Sequence, residues 1–555
     1  MKSRIKYQWV FVVAIFCICA FLATYPAFLN TYFKITMDGQ IHFVRFEEIA
    51  RAFKAHQLPP MVNFMGFGHW GNAFTGMYPW ISCLFFIVPQ SVFANPIHSI
   101  FIGYFFVNLF TLINAYLLTR EITHNYYWRF LGTILYEFNT YHLCVLYGRD
   151  ALGEALAYTF LPLVFLGCIQ IWKNKKIGVL SLGIGMGMAV NSHVITMAFT
   201  CLIITIIELF RLFKKKLNLK EVLYYIYAAI LTSLIACYTW MNMLFLMHNN
   251  DLLTPGKGMA PIIPSEMWNS ILDNKITDIT SQSWNIGIVL FVVLVFLTAQ
   301  LFTKRKGYWR FWTLGALIIQ ILTFSWIPYP QAVVNSFLGN IQFLGRLNSF
   351  VVIFLVIALI IYLNKYSINI SQKNIVYITA TFMILTSISG IIVYQNTQND
   401  NPIRYYVTKD NFYNETGSAL NAQSDYMIAK NGKAVIDSQN SNIYPKALKV
   451  TNVTYNSLTY TFKSNSNHKT DLPFMLYNGV PYRVHVNGKS TKDFNSNQRL
   501  KIMAKKGNNT VTISSYATAL NKVTFIISII SLLLAVGIYI KSIVVNRKSP
   551  IKINA

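Results

Sequence analysis

Runs of about 20 apolar residues, joined by short basic links, restrict this chain to folds that live in a lipid bilayer. Such runs fall at about 150–171, 177–192, 194–210, 223–247, 284–303, 308–327, 347–363, 375–394 and 523–540. A first run extends from Trp9 to Leu29. It exceeds the roughly 7–15 apolar residues of a cleavable leader, so it reads as a membrane helix. Only 12% of the 555 residues are charged, about half the share in a soluble domain.

The net charge of +27 would suit nucleic acid, but its placement argues against that partner. The basic clusters WKNKK (172–176), RLFKKKLNLK (211–220), TKRK (303–306) and the tail after Lys541 lie in the links. With Lys2, Arg4 and Lys6 they make the pattern that orients helices against a cytoplasmic leaflet. Alternating the runs puts every basic cluster and the N-terminus inside. It puts Asn191–Ser192–His193, 248–283, 328–346 and 395–521 outside. Between residues 30 and 149, both outside, lie three candidate runs: about 77–93, 96–118 and 128–147. Parity requires that one does not span, the first and the last being the more polar or proline-interrupted. About twelve spans result.

Residues 30–75 form a long outer loop. Its segment MDGQIHFVRFEEIARAFKAH places Phe46, Ile49 and Phe53 on one helical side and His42, Arg45 and Glu48 on another. That pattern predicts a helix lying in the membrane interface, apolar side down. Residues 395–521 are polar and rich in alternating segments: ALKVTNVTY, SLTYTFK, PYRVHVNG, RLKIMAK and NTVTISSY. With an Asn487–Gly488 turn signal they predict an extracytoplasmic β-sandwich tethered by the last helix. The domain reading is therefore 1–394 transmembrane, 395–521 β, and 522–555 final helix and tail. The seven cysteines lie in apolar stretches and carry no disulfide or metal-knuckle spacing. No phosphate loop, nucleophile elbow or dinucleotide fingerprint is present, and GIGMG (183–187) reads as close helix packing.

Ionisable residues near a membrane need a reason. Asp38, His42 and Arg45 follow spacings of four and three on one helix face. Asp38 there suits a general base, with a helix cap the plainer reading from the residues alone. Arg149, Asp150 and Glu154 sit at the outer start of a run, with Asp150 a cap candidate. Arg149 suits a phosphate, or an internal pair with Glu154. Gln342 and Arg346 lie four apart at another outer mouth, where an arginine also snorkels to headgroups. His193 stands at a hairpin tip, where a structural role is the plainer reading.

The segments DGQIHFVR (38–45), LYEFNTYHLCVLYGRDALGEALAYTFLPL (135–163) and IQFLGR (341–346), in that order and on one face, resemble bacterial YfhO-like membrane proteins. The related 6-pyruvoyl-tetrahydropterin-synthase-related membrane group is similar in the same way. The resemblance spans most of the chain and implies a polytopic α-helical, GT-C-type glycosyltransferase fold with a C-terminal extracellular β-sandwich. It implies that Asp38 is the catalytic base and that His42, Arg45, Arg149, Glu154, Gln342 and Arg346 line the substrate site, to which His193 is added as a candidate from its hairpin tip alone. Leu344 stands where the family motif has proline, and Asn139–Thr140 where it has Ser-Pro, with Glu137 beside them. The implied reaction moves a sugar from a polyprenyl-phosphate donor to a cell-surface glycan or glycolipid, at the outer face of a bacterial cell membrane. Arg346 or Arg149 would hold the phosphate. No dedicated metal-ligand cluster is expected, although some GT-C enzymes use a divalent ion. A flippase of lipid-linked sugar, and an anchor for a sugar-binding domain, are the competing readings.

Overall fold

The computed structural model of the protein describes residues 2–30, 32–276, 281–367, 370–397, 404–413, 425–436, 444–445 and 447–545. The side chains of Lys2, Arg4 and Lys6, and the basic tail beyond 545, lie outside the described residues. Seven described helices are long and apolar enough to cross a membrane: Val10–Phe28, Pro96–Ile122, Leu152–Trp172, Val194–Phe213, Leu344–Lys365, Gln372–Asn396 and Ala519–Ile543. An eighth crossing results if Leu219–Ile235 and Cys237–Asn249, bent by 72°, count as one span. The expected dozen is not reached, because several predicted runs fold into shorter helices. Ile177–Val190 and Ile288–Leu301 have 14 residues each. At 1.5 Å per residue that is about 21 Å, against a hydrocarbon core of about 30 Å.

Among the three runs between residues 77 and 147, only Pro96–Ile122 is long, at 27 residues. The first is a 3-10 turn, Ile81–Cys83, leading into the nine-residue helix Leu84–Val92 with Pro89 inside it. The third breaks into helix Tyr126–Glu137, helix Thr140–Leu143 and a π turn Cys144–Gly148. Asn139 makes the break. Its amide donates to Tyr136 O at 2.7 Å and its carbonyl accepts from His142 N at 3.0 Å, replacing the helical ladder.

Helix Leu152–Trp172 is buried along nearly its whole length and forms the centre of the bundle. Glycines let Ile177–Val190 lie directly against it: a Cβ on Gly185 would sit 2.8 Å from Val164 N. By contrast, Val194–Phe213, Gln372–Asn396 and Ala519–Ile543 leave most of their apolar surface exposed, as lipid-facing helices do. At one end of the bundle charges collect in pairs. Glu121 holds Lys173 at 2.9 Å and Lys175 at 2.6 Å, and Arg211 holds Glu208 at 3.0 Å and Glu221 at 2.7 Å.

The first-loop helix, Met37–Lys54, differs from expectation. It does not expose a polar face to water. Phe43, Phe46, Ile49, Arg45 and Glu48 are all buried. Its charges fasten a neighbouring loop and helix instead: Glu48 accepts from Phe64 N at 2.7 Å and Glu47 from Gln90 Nε2, in helix Leu84–Val92, at 2.7 Å. Protein, not lipid, covers the apolar side.

The C-terminal region is β-rich. A five-stranded and a three-stranded sheet share one apolar cluster that includes Tyr460, Phe462, Leu472, Phe474, Leu500 and Ile513. The predicted strands form at Lys449–Val453, Ser457–Ser464, Tyr482–Val486, Arg499–Ala504 and Gly507–Ser515. Tyr482–Val486 turns back on Lys489–Thr491 through Asn487 (φ 51) and Gly488 (φ 79). Positive φ at both central residues is the hairpin turn that an Asn-Gly pair favours.

The last helix is not this region's sole attachment. Arg404–Val407 pairs antiparallel with Phe33–Thr36 of the first loop. Met475 N donates to Trp70 O at 2.8 Å and the Tyr460 hydroxyl to His69 O at 3.0 Å. Gly71, at φ 72, lies under Phe474, whose ring a Cβ there would meet at 2.5 Å. Gly71→Ala is therefore expected to destabilise by about 1–3 kcal/mol, through backbone strain and overpacking together. Thermal unfolding in detergent checks this, and an unchanged midpoint would show that the loop–sheet contact contributes nothing.

Candidate functional site

The site begins with a clasp between distant segments. Asp150 is held at φ 49. Its carboxylate accepts from Thr36 N at 2.8 Å and from the Tyr104 hydroxyl at 2.7 Å. The Thr36 hydroxyl in turn donates to Arg149 O. Gly39 is needed at this crossing, since a Cβ there would meet Asp150 Cβ and Oδ2 at 2.9 Å. Two capping assignments change accordingly. Thr36 is the cap residue of helix Met37–Lys54, with Asp38 inside its first turn. Ala151, not Asp150, caps helix Leu152–Trp172.

The clasp aims Arg149 at Asp38, and their charges meet at 2.7 Å. Aromatic faces fix the guanidinium, 4.8 Å from the Phe343 centroid and 5.3 Å from Trp284. A second pair lies alongside. Arg346 Nε meets Glu154 Oε2 at 3.0 Å, and the Tyr141 hydroxyl donates to Glu154 Oε1 at 2.6 Å. Arg346 also donates to Gln342 Oε1 at 3.0 Å and Ile341 O at 2.9 Å. The pairing is crossed relative to the sequence reading: Arg149 pairs with Asp38, and Glu154 with Arg346. Leu344 does not prevent the local turn, because Leu344–Leu347 winds as a 3-10 helix. Gln342 carries the strain instead, at φ 60, with its amide donating to Gly256 O at 2.8 Å.

Asp38, His42, Arg149, Glu154, His193, Gln342 and Arg346 all line one cavity of about 300 Å³. Arg45 does not. Its guanidinium turns to Tyr78 O at 2.6 Å and Pro79 O at 3.2 Å, and stacks on the Tyr78 ring. It therefore supports the wall rather than facing the space. The face shared by Asp38 and His42 ends one turn earlier than spacing predicts, because Tyr78 intervenes.

Asp38 keeps 34% of its side chain exposed. Burial raises its pKa, but the Arg149 guanidinium overrides this and holds the carboxyl below the usual carboxylate range. Its place in the first helical turn favours the same charge. His42 and His193 are both pushed down to about 3, by burial first and then by Arg45 and Arg346 respectively. Both are neutral at physiological pH. His193 caps helix Val194–Phe213 through Nδ1, which accepts from Thr196 N at 3.3 Å. His42 Nδ1 has no hydrogen-bond partner among the described residues. No group of three His, Cys, Asp or Glu side chains placed to hold a metal occurs among the described residues.

Sequence reading did not find Tyr78, Trp284, Asp425 or Tyr426. The last two come from a polar, aperiodic stretch of the C-terminal region, which offers no sequence signal. Trp284 was visible only as the start of an apolar run. No protein-family model matches this chain, and no curated protein matches it.

The Arg346–Glu154 pair is nearly enclosed, at 12% and 4% exposure. Glu154→Ala strands a buried guanidinium and is expected to cost about 3–5 kcal/mol, whereas Glu154→Leu with Arg346→Met recovers most of it. Melting of the single and double variants in detergent measures both. Equal destabilisation by the double variant would contradict the pair's enclosure.

Proposed function

We propose that the protein is a GT-C-type glycosyltransferase that moves a sugar from a polyprenyl-phosphate donor to a cell-surface glycan or glycolipid. One observation carries this reading: a carboxylate, Asp38, lies 2.7 Å from Arg149 in a cavity that Arg346 also lines. Two guanidiniums suit a departing phosphate, and the carboxylate suits proton removal.

The reading extends to architecture and orientation. Counting the shorter helices and the broken segment 126–148 as crossings restores about twelve spans, with Leu84–Val92 as the element that does not cross. On this reading the bundle end with the paired lysines and arginines is the cytoplasmic side, as the positive-inside rule favours. The cavity lies at the opposite helix ends, near Leu152, Val194 and Leu344, which the proposal takes as the outer face of a bacterial cell membrane. The two sheets of the C-terminal region are read as the extracytoplasmic sandwich. A site at helix ends also favours transfer over flipping, since flippases place binding groups at the membrane midplane.

The reaction follows from the pairs. The donor tail stays in lipid and its phosphate enters beside Arg149 and Arg346. An oxygen of that phosphate competes with Asp38 for Arg149, which frees the Asp38 carboxylate. The acceptor hydroxyl loses its proton to Asp38 as its oxygen attacks the anomeric carbon. The bond from that carbon to the phosphate oxygen breaks on the opposite side. The electron pair leaves with polyprenyl phosphate, which the arginines stabilise. A single displacement inverts the anomeric centre. Glu154 holds Arg346 in place, and neutral His42 is available to the sugar.

Asp38→Asn is expected to lower transfer by about 10²–10⁴-fold. Surface-glycan composition in deletion cells complemented with wild type or Asp38→Asn tests this. Normal glycans with the variant, at equal protein level, would remove the base assignment. The pH dependence has a definite sign. With Arg149 depressing its pKa, Asp38 stays ionised as pH falls through the ordinary carboxylate range, so the acid limb of the rate profile lies below that range. Arg149→Gln removes the largest effect opposing burial, leaving the weaker His42 and Arg346 charges, and moves the acid limb to higher pH. A limb that stays in place would detach Arg149 from Asp38.

A further inference from the structure

One wall of the cavity comes from outside the helix bundle. Asp425 and Tyr426 belong to the C-terminal β-rich region, yet both line the space that holds Asp38. Their backbone is pinned from three sides. Asn72 Nδ2 donates to Asp425 O at 3.2 Å, Tyr426 N donates to Leu253 O at 2.8 Å, and the Tyr477 hydroxyl donates to Tyr426 O at 2.8 Å. Tyr426 is thereby held at φ 62, a conformation that a residue with a Cβ adopts only when its surroundings impose it.

Against that fixed backbone, the Asp425 carboxylate has no partner among the described residues. Asp38 is matched by Arg149 and Glu154 by Arg346. Asp425 forms no side-chain hydrogen bond or ion pair with a described residue. The two carboxylates line the same cavity, and burial, then the Asp38 charge, raise the pKa of Asp425. Beside it the Tyr426 ring packs edge-on against Phe74 at 5.2 Å, and Phe74 also lines the cavity.

A carboxylate with no cation beside it among the described residues, next to an aromatic face, suits a sugar. Its two oxygens accept from neighbouring hydroxyls, and the ring covers the apolar C–H face. We infer that Asp425 and Tyr426 form the acceptor subsite, with Asp425 accepting hydrogen bonds from acceptor hydroxyls that flank the one facing Asp38. This rests on the transferase reading and deepens it. The β-rich region then orients the acceptor by supplying part of the reaction chamber, rather than by gripping the acceptor at a distance.

The test uses the full chain in lipid nanodiscs, polyprenyl-phosphate-linked hexose and N-acetylhexosamine as donors, and glycan from cells lacking the protein as acceptor. Hydrogen bonds to a charged group predict that Asp425→Ala raises the half-saturating acceptor concentration by about 10–100-fold. Asp425→Asn, which keeps one acceptor oxygen, raises it less. The half-saturating donor concentration is expected to move by less than about twofold. An unchanged acceptor requirement, or equal loss for donor and acceptor, overturns the subsite while leaving the transferase reading intact. Wild-type protein that consumes neither donor, with Asp38→Asn indistinguishable from it, overturns the transferase reading and the subsite with it. Thermal unfolding accompanies each variant, and a shift confined to the alanine variant leaves the asparagine variant to decide.

Discussion

The cavity depends on one clasp, in which Asp150 binds Thr36 N and Tyr104 while Gly39 lets the two segments touch. Thr36 and Gly39 both lie more than a hundred positions from Asp150 in the chain. Their contact sets the direction of Arg149, and through Arg149 the position and charge of Asp38. A left-handed backbone at Asp150 is the local cost of that arrangement. It is sustained because both carboxylate oxygens are satisfied in a buried setting, where an unmet partner would be expensive.

Around the clasp, charge is handled in pairs rather than singly. Arg149 takes Asp38 and lies between two aromatic faces, and Arg346 takes Glu154 with Tyr141 behind it. Each guanidinium is thereby held in a fixed orientation, which the proposed transfer would use to stabilise its leaving group. The pairs also differ in exposure. Glu154 is enclosed and structural, whereas Asp38 keeps a third of its side chain open to the cavity. The difference follows from position: Glu154 lies within the most buried helix of the bundle, and Asp38 within the first turn of a helix at its mouth.

The C-terminal region completes the enclosure. Strand pairing ties it to Phe33–Thr36, while backbone hydrogen bonds and the Phe474–Gly71 contact dock it on the loop 61–77 and the segment around Leu253. The cavity walls therefore come from the first loop, the bundle and the β-rich region, and none of these forms the space alone.

Periodicity and composition by themselves established the membrane helices, the change to β structure after residue 395, the Asn-Gly hairpin and the close glycine packing. These features follow from local rules, because apolar run length, alternation and turn chemistry act within a few residues. The residues Asp38, His42, Arg149, Glu154, His193, Gln342 and Arg346 were also legible, since polar groups at apolar helix ends need a reason wherever they occur. Which arginine meets which carboxylate was not legible, nor was the turning away of Arg45, the burial of the first-loop helix or the presence of Asp425. Those depend on which distant segments pack together, and a pairing across a hundred or more residues leaves no periodic trace in either partner. The long apolar runs that became short or broken helices show the same limit. Asn139 ends a helix because its side chain finds backbone partners, and tertiary burial makes that exchange affordable.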